Sequence, residues 1–168
     1  MNLAFANQKM LLASVNARAE VHGEEREPAG DVALEADLSN DILNIFAPGL
    51  KGLLYYFDPE KERDLADQGK ATEPGFMPDL RFPRLGGPLK WDEEIPEARV
   101  TIRVAGTKKE VVLAPCKVNK FALTPLAGGT VQFEMRVQAH PEEKQFGVLS
   151  VLVQQEVEVT LEIPEVPS

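Results

Sequence analysis

Two histidines are the side chains of this sequence best suited to acid–base chemistry or metal binding near neutral pH. His22 ends a run of alternating residues, and His140 stands immediately before a proline. Neither has a histidine or cysteine two to four positions away, which is the usual spacing of a metal site. They would hold an ion only if folding brought them together beside Asp31 or Glu24. The simpler interpretation places each at a turn or a helix start, so we predict no metal and no other cofactor.

Cys116 is the only cysteine of the chain, and an internal disulfide is therefore impossible. It alternates with apolar residues at positions 112, 114 and 118, a pattern that predicts a thiol facing the core. Such a thiol lacks the positive, accessible surroundings that make cysteine nucleophilic. The chain also has no serine in a Gly-x-Ser-x-Gly context and no glycine-rich phosphate loop. We therefore predict no catalytic residue and a protein that is not an enzyme.

Four acidic side chains crowd the stretch "HGEEREPAGD" between two runs of alternating residues. They lack the Asp-x-Asp-x-Asp-Gly spacing of a calcium loop. The favoured interpretation is a solvated hairpin turn whose carboxylates are available to a partner. The candidate binding residues here are Glu24, Glu25, Glu27 and Asp31.

The stretch "LRFPRLGGPLKW" interleaves basic and aromatic residues. Arginine and tryptophan are enriched where proteins meet, which favours a protein contact. Aromatic and basic groups in this pattern also suit single-stranded DNA, which remains the alternative. The candidate residues are Arg81, Phe82, Arg84 and Trp91.

Composition restricts the classes of partner. The chain has 168 residues, a formal net charge of −9 and a pI near 4.8, so a phosphate backbone or an anionic membrane would repel most of its surface. No apolar run approaches the roughly 20 residues needed to cross a bilayer. We expect a cytoplasmic protein of one domain, residues 1–168, without membrane contact.

Period-two alternation predicts most of the secondary structure. The amino-terminal run alternates from Leu11 to Val21 and resumes over residues 31–38, with "GEEREPAG" as an exposed connecting loop. The carboxy-terminal third predicts further strands, among them 100–104 and 131–139, and a last strand that ends with Ile163 facing inward. Gly128 and Gly129 can adopt the positive φ angles that a tight hairpin turn requires, which predicts a hairpin before the 131–139 strand.

Helix signals are few. "SNDILNIFAPG" predicts a short helix capped by Ser39 or Asn40, and "HPEEKQFGVLSVLVQQ" predicts another. Frequent proline and glycine make 58–96 a long loop segment with a short strand near 79–83, and 164–168 a loose tail. The predicted fold is mainly β, an antiparallel sandwich or a strongly bent sheet with two short helices, with α+β as the alternative.

Two stretches carry a resemblance to a known group. One is a strand ending in His-Gly-acid-acid, a Pro-Ala turn and an Asp-led strand; the other is a strand, a Gly-Gly turn, a strand, a short helix and a final Glu-x-Thr-Leu strand. The residues of the first pattern are His22, Gly23, Glu24, Glu25, Pro28, Ala29 and Asp31. The chain resembles small acidic proteins encoded by tailed phages and prophages near recombination and replication genes. The resemblance implies a role in phage DNA metabolism or against host defence, and it assigns no catalytic residue.

Three hypotheses of function follow. The leading one is a non-enzymatic phage protein that binds a host or phage protein and inhibits a host nuclease or defence complex through an acidic face. That face would include Glu35, Asp37, Asp41, Glu142 and Glu143 besides the hairpin acids. The second is a recombination or replication accessory that contacts single-stranded DNA through residues 81–91. The third is a structural component that assembles as a homo-oligomer.

Overall fold

A computed structural model describes residues 1–23 and 25–164, and for residues 20–22 and 25–27 only the backbone. The strands are β1 Phe5–His22, β2 Glu25–Ser39, β3 Tyr55–Tyr56, β4 Asp79–Leu80, β5 Leu89–Trp91, β6 Ile95–Val104, β7 Glu110–Pro125, β8 Thr130–Ala139 and β9 Glu156–Glu162. The helices are α1 Leu43–Phe46, which follows a 3-10 turn at Asn40–Ile42, then α2 Leu50–Leu54, α3 Leu65–Lys70 and α4 Glu143–Val151. The mainly β prediction is confirmed. The two expected helices correspond to α1 and α4, and two more short helices accompany them.

Seven strands form one antiparallel sheet in the order β5-β7-β6-β9-β1-β2-β8. β7 also pairs with β8, the last strand in this order, so the sheet curves round and closes on itself. β6 and then β5 pair along one edge of β7, and β8 pairs along the other. Closure leaves most strands with neighbours on both sides, which satisfies their backbone hydrogen bonds. Of the two predicted architectures, the strongly bent sheet describes the molecule.

The amino-terminal hairpin is longer than its sequence pattern indicates. Pairing continues to His22 opposite Glu25, so the expected eight-residue loop is wrong. Toward the hairpin end from Gly30, which pairs with Ala139 of β8, β1 and β2 pair only with each other among the described strands and form a two-stranded ribbon. Pro28 is accommodated because this part of β2 has a free edge on the side away from β1, where no backbone donor is needed.

A bulge between Leu12 and Ser14 changes which face of β1 is buried. Met10 and Leu12 lie in the core, whereas Leu11, which the simple alternation places inside, lies on the outer face. A bulge adds one residue to one strand and so exchanges the two faces beyond it. Ile163 is a second correction, because it lies past the end of β9 and is exposed.

The core fills the inside of the closed sheet. Buried side chains come from every long strand and from α1, α2 and α4. Phe46 of α1 joins them, with its ring centroid 5.4 Å from that of Phe121 and 6.2 Å from that of Phe133. The capping box of Glu142 and Gln145 begins α4, whose Leu149 is fully buried. The predicted tail falls mostly on residues 165–168, outside the described residues.

Candidate functional site

The 58–96 segment contains α3, β4, β5 and the first residues of β6, and two groups of side-chain contacts fix its course. A buried ion pair forms the first anchor, because Arg63 Nη2 lies 2.6 Å from Asp79 Oδ2. The Arg63 guanidinium also lies 4.8 Å from the ring centroid of Phe57 and 5.9 Å from that of Phe76. Asp79 starts β4 and pairs with Tyr56 of β3, so this anchor fixes the course of the chain toward residue 81.

The charge balance of Asp79 explains why its carboxylate stays ionised. Burial alone would raise its pKa, but hydrogen bonds from Arg63, the Asp58 amide and Lys61 outweigh burial and lower the pKa below the ordinary value. The Asp58 amide donates at 2.8 Å and Lys61 Nζ lies at 3.3 Å. A buried carboxylate with these donors is stable as an anion.

Lys51 of α2 provides the second anchor. Its buried ammonium donates to the Asp41 carboxylate and to the Gly75 carbonyl. Asn40 Nδ2 donates to the Met77 carbonyl at 2.8 Å, and the hydrogen bond from Lys51 lowers the pKa of Asp41. These groups line a polar cavity of about 320 Å³. Since the cavity's buried ammonium and amide are already bonded, we regard it as structural.

Between the anchors and β5, residues 81–88 run over the surface with their side chains exposed. Phe82 is 54% exposed, Leu85 is 51% exposed and Leu53 on α2 is 59% exposed. Arg81 joins these elements: its amide donates to the Leu54 carbonyl at 3.0 Å, and its Nε donates to the Gly52 carbonyl at 2.8 Å. We call Leu53, Arg81, Phe82, Arg84 and Leu85 the docking surface.

Trp91 follows the docking surface along the chain, and its side chain is only partly exposed. Its ring packs edge-on against Phe46, with 5.8 Å between centroids, and its indole nitrogen donates to Glu93 at 3.2 Å. The side chain therefore joins β5 to the core. Three of the four basic and aromatic residues selected from the sequence, Arg81, Phe82 and Arg84, remain exposed.

The acidic candidates do not join the docking surface within the described chain. Glu24 lies outside the described residues, as do the side chains of Glu25 and Glu27. Asp31 is paired across the hairpin with Arg18, whose Nε lies 3.0 Å from Oδ1. The described member of the predicted acidic loop is thus neutralised by a neighbour on β1.

Strand register creates a charge pattern that the linear sequence hides. One row of residues crosses the outer face from β5 to β9, and each member pairs with the next: Lys90, Ala122, Glu134, Glu35, Leu11 and Glu156. We call this the outer row. Glu134 and Glu35 are directly opposite, and among the described residues neither has a hydrogen-bond or ion-pair partner. Like charges in that position are destabilising. Their positions in sequence, 99 residues apart, give no signal before the register is known.

The residues first considered for chemistry are separated. Cys116 is buried, and burial raises its pKa to about 11. His140 is exposed, with Nδ1 3.2 Å from the Pro28 carbonyl oxygen. The His22 side chain is outside the described residues, so a convergence of the two histidines is not tested. Among the described side chains, no group of three histidine, cysteine, aspartate or glutamate residues is arranged to hold a metal ion.

No helix in the described ranges combines the length and apolarity required to span a membrane. In comparisons with known proteins, no family model, no curated protein and no solved structure matches this chain.

Proposed function

We propose that this protein acts without catalysis, by binding another protein through the docking surface. The observation that carries the proposal is the exposure of Phe82 and Leu85 on a segment held at both ends, beside the exposed Leu53 of α2. Exposed apolar groups surrounded by polar residues mark protein contacts. The anchors reduce the conformational entropy that binding would otherwise cost.

The charges beside these apolar groups suit a protein partner. Arg84 forms no hydrogen bond or ion pair with any described residue, and Arg81 lies with its guanidinium 5.4 Å from the Tyr56 ring centroid. Arginine next to an aromatic anchor is the combination most often found at energetically dominant interface positions. The best complement is an apolar recess edged by carboxylates.

A pulldown with matched variants tests this function. Phe82→Asp places a charge in the docking surface, whereas Leu65→Asp changes a residue on α3 that is 85% exposed. We expect wild type and Leu65→Asp to retain the same protein from lysate, and Phe82→Asp to lose at least nine-tenths of it. Equal retention by Phe82→Asp, or no retention above background by any form at low salt, would refute the proposal.

Inhibition of a host nuclease or defence complex is the specific role we propose for such binding. The outer row supports it with the carboxylates of Glu134 and Glu35, which lie directly opposite each other on one face and resemble neighbouring phosphates in charge. Titrating the protein into a nuclease assay with lysate of its host should reduce cleavage, and Glu35→Lys with Glu134→Lys should abolish the reduction. Unchanged cleavage at saturating protein would exclude this role.

Contact with single-stranded DNA is the second candidate, favoured by Arg84 and Lys90 near an exposed phenylalanine. It predicts filter binding of short oligonucleotides that weakens steeply with salt and disappears in Arg84→Glu. Binding of a protein that persists at salt concentrations that abolish oligonucleotide retention would favour the first candidate.

A further inference from the structure

The outer row places a positive and a negative side chain two strands apart on one surface. Lys90 on β5 is separated from Glu134 on β8 only by Ala122 of β7. Two strand spacings correspond to about 10 Å. This is too far for a hydrogen bond, and neither Lys90 nor Glu134 has a partner among the described residues. The row therefore presents a cation and an anion, both unsatisfied, on either side of a small residue.

From this arrangement we propose that a second copy of the chain occupies the docking surface, forming a two-fold symmetric dimer. A two-fold axis near Ala122 would set Lys90 of each copy over Glu134 of the other, so two Lys90–Glu134 ion pairs form across the axis and every one of these charges is paired. This inference rests on the proposed function, protein binding through the docking surface, and names a second copy as the occupant of that surface when no host protein is bound; the two partners then compete for it. Ala122 itself is only 8% exposed, so the longer side chains of Lys90 and Glu134 on either side of it would make the contact.

The same two-fold rotation would also bring an exposed apolar turn of each copy to a surface hollow of the other. Phe82 and Leu85 form a turn in which the Leu85 amide donates to the Phe82 carbonyl at 3.0 Å, on the β5 side of Ala122. On the other side of Ala122, beyond Glu134, lies a surface hollow of about 390 Å³. Its lining includes Leu11, Glu35 and Asp37, and also Lys9, whose ammonium is paired with Glu156 at 4.0 Å. A two-fold axis that passes between the turn and the hollow places the Phe82–Leu85 turn of each copy against the hollow of the other. Arg84 of one copy would then face the carboxylates of Glu35 and Asp37 of the other.

The net charge of −9 per copy opposes association, but the range of that repulsion is short in salt. The Debye length is about 8 Å at 0.15 M ionic strength, so most charges outside the contact are screened. Pairs in direct contact across a desolvated interface are screened much less. We therefore expect a dimer at 0.15 M salt and a weaker one near 0.01 M, where the Debye length is about 30 Å.

Charge exchange between two variants tests the dimer. Sedimentation velocity across a concentration series should show a dimer for wild type, with a dissociation constant at least tenfold higher for Lys90→Glu and for Glu134→Lys alone. Mixing these two variants should restore wild-type association, because every contact then joins a lysine to a glutamate. Glu162→Lys, on the outer face of β9 away from the axis, is the control and should leave association unchanged.

The outcomes separate this inference from the proposed function. If wild type is monomeric at all concentrations yet Phe82→Asp abolishes the capture of another protein, the dimer is refuted and the docking function stands. If a dimer forms but the mixed variants are not restored, the proposed axis is refuted. If wild type is monomeric and captures no other protein, both the dimer and the proposed docking function are refuted.

Discussion

At the scale of single residues, Cys116 shows how position controls reactivity. Burial raises its pKa from 9.0 to about 11, and its Sγ lies 3.4 Å from the Ala98 carbonyl oxygen. Because the folded pKa exceeds the unfolded one, the stability gained from the protonated thiol is complete below pH 9 and is lost as pH rises through 11. We expect iodoacetamide at pH 8 to alkylate the native protein only as fast as it unfolds, and the urea-unfolded chain at once. Rapid alkylation of the native protein would contradict this burial.

Gly30 provides a second prediction at this scale. A Cβ atom added there would lie 2.7 Å from the Phe146 ring and 3.2 Å from Pro141, which join the hairpin to the start of α4. The half-buried ring has some room to move, so we expect Gly30→Ala to destabilise the fold by about 1 kcal/mol. Gly147 has nothing within 4 Å of its added Cβ, and Gly147→Ala should stabilise α4 by about 0.5 kcal/mol. Urea unfolding of both variants measures whether the free energy of unfolding falls for Gly30→Ala and rises for Gly147→Ala.

At the scale of elements, Phe46 connects α1 to three strands. Its ring contacts those of Trp91, Phe121 and Phe133. A helix of four residues has no stability of its own, so this packing is what fixes it. We expect Phe46→Ala to lower the free energy of unfolding by about 3–5 kcal/mol and to change the near-ultraviolet signal of Trp91. Ile45→Ala, at a neighbour that is 40% exposed, should cost less than about 1 kcal/mol.

Element by element, sequence reasoning succeeds where local chemistry decides. The cap at Ser39 is confirmed, since its side chain accepts from the Asp41 amide, and β8 keeps its alternation without a bulge. It fails at β1, because nothing local marks a bulge between Leu12 and Ser14. It also fails at the hairpin, where cross-strand backbone pairing overrides glycine and proline as loop signals.

At the scale of the whole molecule, closure of the sheet depends on the pairing of β7 with β8 on one side and β6 on the other. One short stretch of sequence contains all four basic and aromatic candidates, and the structure leaves the side chains of Arg81, Phe82 and Arg84 exposed. The outer row could not be found from sequence, since Glu35 and Glu134 become neighbours only through register. Local patterns contain no information about such long-range pairs.

Acid stability is a property of the whole molecule because two carboxylates, Asp41 and Asp79, fix the course of the 58–96 segment. Asp79 acts within the segment, and Asp41 acts through Lys51, which also bonds the Gly75 carbonyl. Both have a folded pKa below the ordinary 3.8, Asp41 through its hydrogen bond from Lys51 and Asp79 through donors that outweigh burial. Each lowered pKa contributes stability that is present above the unfolded pKa and is lost as pH falls through the folded one. Asp79→Asn should therefore destabilise the protein at pH 7 and differ less from wild type at pH 3. Asp92→Asn, at an exposed carboxylate without a partner among the described residues, should match wild type at both values. Urea midpoints at pH 7, 5 and 3 give the comparison, and a difference that grows toward pH 3 would contradict the assigned role of Asp79.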